Sequence, residues 1–215
     1  HSPGGARRVV GGDFDRAGGA RPRLLPDTRC RSKTERITRP SAQTQVLMGQ
    51  IAIARNDPDF FAFLVGNHIL GGGGFSSRLT EVVREQNGLC YSIYSTFNPL
   101  RDRGAFLIGF QTRPAQAARA IALSQQVLRD FVQHGPSAPE LQAAKANLMG
   151  GFPARMDSNA KLLGYLSTIG FYGLPLTYLD EFPARVRAVT AEQVRAAFAR
   201  HVKAENLVTL IVAAD

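Results

Sequence analysis

Charge is sparse in this chain: only 20% of its 215 residues are Asp, Glu, Lys or Arg, and cysteine occurs just twice. No apolar run approaches the roughly 18 residues that a membrane-crossing helix needs, so no membrane span is expected. The start also lacks the basic, apolar, small-residue order of an intact signal peptide. Two cysteines cannot build a disulfide framework. Cys30 sits in an Arg-rich stretch and Cys90 inside an apolar alternation, so both read as free thiols and neither fixes the compartment. Metal and nucleophile motifs are missing as well. His1, His68, His134 and His201 are isolated from one another, and neither H-x-x-E-H nor C-x-x-C occurs. His201 and Glu205 come nearest to a ligand pair but read as a solvated helix end, and His68 as a core or cap residue. Gly71-Gly72-Gly73-Gly74 has no Lys-Ser/Thr after it, which removes a phosphate loop and leaves a helix stop that permits close packing.

What is present is enough apolar material for a core, 44% of residues. The net charge of +9 invites an anionic partner until it is located. Residues 1–40 hold ten basic and four acidic side chains, so six of the nine excess charges sit there. A nucleic-acid binder needs its basic groups on the folded body, and no nucleic-acid partner is expected. Residues 1–42 are rich in glycine and proline with little apolar periodicity and read as a linker-like leader; Val9 to Phe14, a short strand and its exit turn, is the exception. Residues 43–215 read as the folded domain.

Within that domain Thr44 to Ala54 reads as a buried strand, and Asp57-Pro58 as the cap and first turn of a helix reaching Leu70 that is apolar nearly all round. Ser76-Ser77 caps a second helix from Arg78 to about Gln86. Leu89 to Asn98 and Gly104 to Thr112 alternate as two strands joined by a hairpin loop. Three or four helices follow, among them a stripe from Ala117 to Phe131 and two capped starts at Ser137-Ala138-Pro139-Glu140 and Thr190-Ala191-Glu192-Gln193. Leu207 to Ala213 closes the chain as a strand. The expected fold is α+β: one mainly antiparallel sheet with helices packed on one face.

One pair of residues could carry chemistry. Arg84, near the end of the short helix, and Tyr91, on the strand after the Asn87-Gly88 turn, can reach the same end of the sheet. A guanidinium fork suits a carboxylate or peptide carbonyl, and a tyrosine hydroxyl can donate to a forming oxyanion. The plain alternative is a core tyrosine and a surface arginine.

The surrounding residues, Gly71-Gly72-Gly73, Phe75-Ser76-Ser77-Arg78-Leu79, Arg84-Glu85 and Gly88-Leu89-Cys90-Tyr91-Ser92, resemble the second half of pitrilysin-type (insulinase-like) zinc peptidases, the group that includes mitochondrial processing peptidase. Glu140-Leu141 with Ala144-Lys145, Gly173-Leu174-Pro175 and Val189-Thr190-Ala191-Glu192 extend the resemblance over residues 43–214. Cys90 stands where the family often has a small residue such as Ala. The resemblance implies one of two α+β halves that close around an unfolded peptide. It carries substrate-binding and catalytic roles onto Arg84 and Tyr91. No cofactor is expected in this chain, because the zinc motif belongs to the partner half. The expected partners are a zinc-bearing peptidase half or subunit, in a dimer, and a peptide substrate, with the bacterial periplasm favoured over the cytoplasm. A non-catalytic scaffold of the same fold is the rival.

Overall fold

Every second residue from Thr44 to Gln50 is buried and the intervening ones face outward or are half-buried, so the strand Thr44–Ile51 (β2) has one inner and one outer face. The computed structural model describes residues 32–214. Its sheet has five strands: Lys33–Thr38 (β1), β2, Ile93–Asn98 (β3), Ala105–Thr112 (β4) and Val208–Ala213 (β5). Their spatial order is β1-β5-β2-β4-β3. Every pairing is antiparallel except β1 with β5. Register puts Val46 between Phe110 and Ile211, and Met48 between Ile108 and Thr209, which gathers the apolar side chains on one face.

The helices cover that face. Phe60–Asn67 (α1) is buried on most sides, as its all-round apolarity predicts. Ala117–His134 (α2), Ala138–Gly150 (α3), Asn159–Tyr172 (α4), Tyr178–Ala188 (α5) and Ala191–His201 (α6) follow. Phe198 of α6 stacks on Phe63 of α1 at 4.5 Å between ring centroids and meets Phe131 of α2 edge-on at 4.9 Å. Aromatic pairs of this kind add roughly 0.5–1.5 kcal/mol each beyond their buried area. Both expected capping boxes form, Ser137 with Glu140 and Thr190 with Gln193. The opposite face of the sheet is bare among the described residues. Leu47, Ile51, Tyr94 and Val208 lie exposed on it.

Four local expectations are corrected. The strand β1 falls within residues assigned to the linker-like leader, so the sheet begins ten residues before position 43; residues 1–31 of the leader, which include Val9 to Phe14, lie outside the described residues. The strand expected from Leu89 begins only at Ile93, because residues 89–92 are still crossing from the preceding helix to the sheet. Asp57 does not cap α1 directly: its Oδ1 accepts the Asp59 N–H at 2.9 Å, and the helix starts at Phe60. Two helices, α4 and α5, follow where the sequence marked no start. No described helix is long and apolar enough to cross a membrane.

Candidate functional site

A run of four glycines and two segments of wide helix build the site. After α1 the chain widens into a π-type turn, His68–Gly72, and then tightens at Gly74, whose φ of +66° lies in the left-handed region that favours glycine. A Cβ on Gly71 would overlap the Ser95 backbone nitrogen and the Leu79 side chain, so the glycine lets this turn lie directly against β3. Ser76 Oγ donates to the Gly73 carbonyl at 3.3 Å and Ser77 Oγ to the Gly74 carbonyl at 2.7 Å. Phe75, held between these bonds, points its ring into solvent.

A second π-type segment, Thr80–Gln86, carries Arg84, and the residues after Gly88 lead through Tyr91 into the edge strand β3. The structure brings the two sequence candidates together. The Arg84 guanidinium carbon lies 5.5 Å from the centroid of the Tyr91 ring and 4.8 Å from that of Phe75. Arg84 also pairs with Glu85 at 3.4 Å. Tyr91 is 83% exposed and Phe75 77%, while the Arg84 side chain is only 26% exposed. The core-tyrosine alternative is therefore removed. Tyr91 is not on the strand as expected, because β3 begins only at Ile93. Phe75 went unmarked as a site residue; its signal was an apolar side chain beside a glycine run.

Cys90, next to Tyr91, is half-buried. Burial pushes its thiol up to about 11 against the opposing pull of the Arg84 charge, so it stays protonated near neutrality and is not a ready nucleophile. Behind the site Arg78 forms a two-point bond to Glu140, with Nη2 to Oε2 at 2.6 Å, and donates to the Gly135 carbonyl at 3.0 Å. It clamps the start of the Arg84 segment to the cap of α3.

Only one described cluster gathers three metal-capable donors, Asp57, Asp59 and His201, within 4.8 Å of one another. His201 is not the solvated helix end expected: its side chain is 10% exposed and its Nε2 lies 3.0 Å from Asp59 Oδ2 and 3.6 Å from Asp57 Oδ1. Arg200 also pairs with Asp59, and Asp57 Oδ1 is engaged by a backbone N–H. Two carboxylates already matched by a guanidinium and a histidine form a tie between the start of α1 and the end of α6.

The described residues thus form an α+β domain with one exposed Arg–Tyr pair at a sheet edge, and the sequence holds no H-x-x-E-H motif. Residues 11–148 match the family model for the peptidase M16 inactive domain. The chain belongs to the M16 peptidase family. It is 31% identical over 168 residues to an uncharacterized zinc protease from Streptomyces coelicolor, covering 78% of this chain and 36% of that protein. It is 29% identical over 144 residues to a non-peptidase homolog from Helicobacter pylori, covering 66% of this chain and 33% of that protein. The chain thus spans about a third of these relatives' length. The solved peptidase M16 inactive domain from Pseudomonas fluorescens superposes with a TM-score of 0.80 at 40% identity, over 86% of this chain and 44% of that one.

Proposed function

We propose that this chain is the substrate-binding, site-completing half of a two-part zinc metallopeptidase. The observation that carries the reading is the placement of Arg84 against an exposed Tyr91 at the entrance to the edge strand, beside a sheet face that the described residues leave bare. A zinc-bearing half covers that face and an unfolded peptide lies between the two. Arg84 holds a carbonyl or carboxylate of the peptide with its planar fork. The Tyr91 hydroxyl donates to the scissile carbonyl oxygen as negative charge develops there.

The test is Tyr91→Phe in the assembled pair. Phenylalanine keeps the ring and deletes only the hydroxyl, so turnover should fall about 100- to 1000-fold with little change in the Michaelis constant. Arg84→Lys should also be damaging, because an ammonium cannot reproduce the fork. Thermal unfolding of both variants should match wild type. The name of the Helicobacter pylori relative, a non-peptidase homolog, favours a second reading as a non-catalytic scaffold. Full activity in Tyr91→Phe would select it.

A further inference from the structure

We propose that the groove between α2 and α6 is a docking site for an acidic segment with aliphatic side chains, carried by a protein other than this chain. The groove has a volume of about 560 Å³ and shares no lining residue with the Arg84–Tyr91 site. Arg129, Val132 and Gln133 line it from one face of α2, and Arg195, Ala196 and Ala199 from the facing side of α6. The two alanines keep that second wall low, which leaves a hollow between packed helices. Lys203 and Glu205 close its end, in the turn that leads to β5. Three cations thus face one carboxylate. Only three of the chain's nine excess positive charges lie beyond residue 40, so this wall is a local concentration and not the background.

Among the described residues none of Arg129, Arg195 and Lys203 forms an ion pair, although Glu192 lies within electrostatic reach of Arg195. Neutral groups position two of them. Arg129 donates from Nε and Nη2 to Gln126 Oε1 at 3.3 and 2.7 Å, and Lys203 Nζ donates to the Ala199 carbonyl at 2.6 Å. The buried Gln50 holds the Lys203 backbone, accepting its N–H and donating to its carbonyl, each at 3.2 Å. These bonds orient charge without neutralising it and leave further N–H donors unused. The lining then selects among anions. No aromatic side chain lines the groove, so bases find no stacking surface, and Glu205 repels a continuous phosphate backbone. Val132, Ala196 and Ala199 supply apolar surface for aliphatic side chains, and carboxylates spaced between such side chains meet the cations. A second copy of this chain, itself at +9, is repelled.

The experiment measures binding and needs no turnover. A fluorescein-labelled unstructured peptide of Glu, Leu and Ser residues is titrated by anisotropy into the full 215-residue chain. Beside it run the same peptide with Gln for every Glu, the same with Ser for every Leu, and a single-stranded RNA of equal charge. The Glu-Leu peptide should bind about five- to twentyfold more tightly than the Gln version and more tightly than the Ser version, and its affinity should fall as salt is added. Changing Arg129→Gln, Arg195→Gln and Lys203→Gln together should reduce it to the level of the Gln version. All three side chains are exposed, so this variant should melt as wild type does. Ala196→Glu, which sets a carboxylate in the low wall, should weaken the peptide in the same direction. Changing Lys33→Gln, Arg101→Gln and Lys161→Gln together removes equal charge outside the groove and should alter affinity less than about twofold. If the two triple variants weaken binding equally, net charge alone is at work and the proposal fails. It fails too if wild type binds no acidic peptide or does not separate it from the Gln or Ser versions. RNA binding tighter than the peptide and lost in the groove variant would make the groove a nucleic-acid site instead. Self-association abolished by Ala196→Glu would make a second copy the occupant.

Discussion

Arg78 and Glu140 stand 62 residues apart in sequence and share a two-point bond that joins the start of the Arg84 segment to the cap of α3. Glu140 is also the third residue of a capping box: its Oε2 accepts the Ser137 N–H at 2.8 Å and the Ser137 hydroxyl at 2.6 Å. Burial opposes its ionisation, but the Arg78 and Ser137 hydrogen bonds and the Arg78 charge outweigh this and lower its pKa to about 2.

This fixes a pH dependence. A carboxyl depressed in the folded state contributes stability that is complete above its unfolded value, near 4.5, and is lost as pH falls from there toward about 2. Glu140→Gln should flatten that part of the stability curve, measured by urea unfolding between pH 2.5 and 6. Glu140→Ala should also lose the cap, about 0.5–2 kcal/mol at pH 7. Equal pH slopes in wild type and Glu140→Gln would show that the bond does not form in solution.

Gly71→Ala should destabilise by about 1–3 kcal/mol, since its Cβ overlaps backbone atoms of Ser95 that cannot swing aside. Gly164→Ala is the contrast. No atom lies within 4 Å of its Cβ position in the middle of α4, so the same change there should stabilise by about 0.5–1 kcal/mol. Thermal melts of the two variants should move in opposite directions.

Cys90 should react slowly with iodoacetamide at pH 7.5 in a Cys30→Ser background, because a thiol raised to about 11 is almost wholly protonated there. The Arg84 charge opposes that rise, so Arg84→Gln should slow the reaction further. Fast alkylation of the folded chain at pH 7.5 would contradict the burial of the thiol.

The tie between Asp59 and His201 should act without metal. Asp59→Ala should lower the melting temperature, with a cost of about 1–3 kcal/mol for leaving the largely buried imidazole short of a partner. A chelator should leave wild-type stability unchanged, and metal analysis should find no stoichiometric zinc in the isolated chain. One tightly held zinc per chain would make this cluster a metal site.

The sheet and its helical cover were legible because β2 and β4 alternate and because Ser137, Glu140, Thr190 and Gln193 are local capping signals. β1 was not. Its sequence, Lys-Thr-Glu-Arg-Ile-Thr, is exposed at every position, and its strand form comes from pairing with β5 far along the chain. Alternation also misled at Leu89 to Ser92, where buried Leu89 is held by a hydrogen bond from Thr112 Oγ1 to its carbonyl while Tyr91 faces solvent. Arg84 and Tyr91 are separated by one turn and a short crossing, so their proximity could be read from spacing. The acidic partners of His201 lie about 140 positions away, and no local pattern announces them.

The placement of β5 between β1 and β2 has a kinetic meaning. Arg36 of β1 bonds the Ala214 carbonyl across 178 residues, the kind of distant closure that slows folding. During synthesis β2, β4 and β3 can assemble early, but β1 has nothing to pair with and one side of β2 stays open until the last strand emerges. A chain stopped at residue 206 should therefore retain helical circular dichroism yet aggregate through the open edge of β2, and adding residues 207–215 should abolish that aggregation.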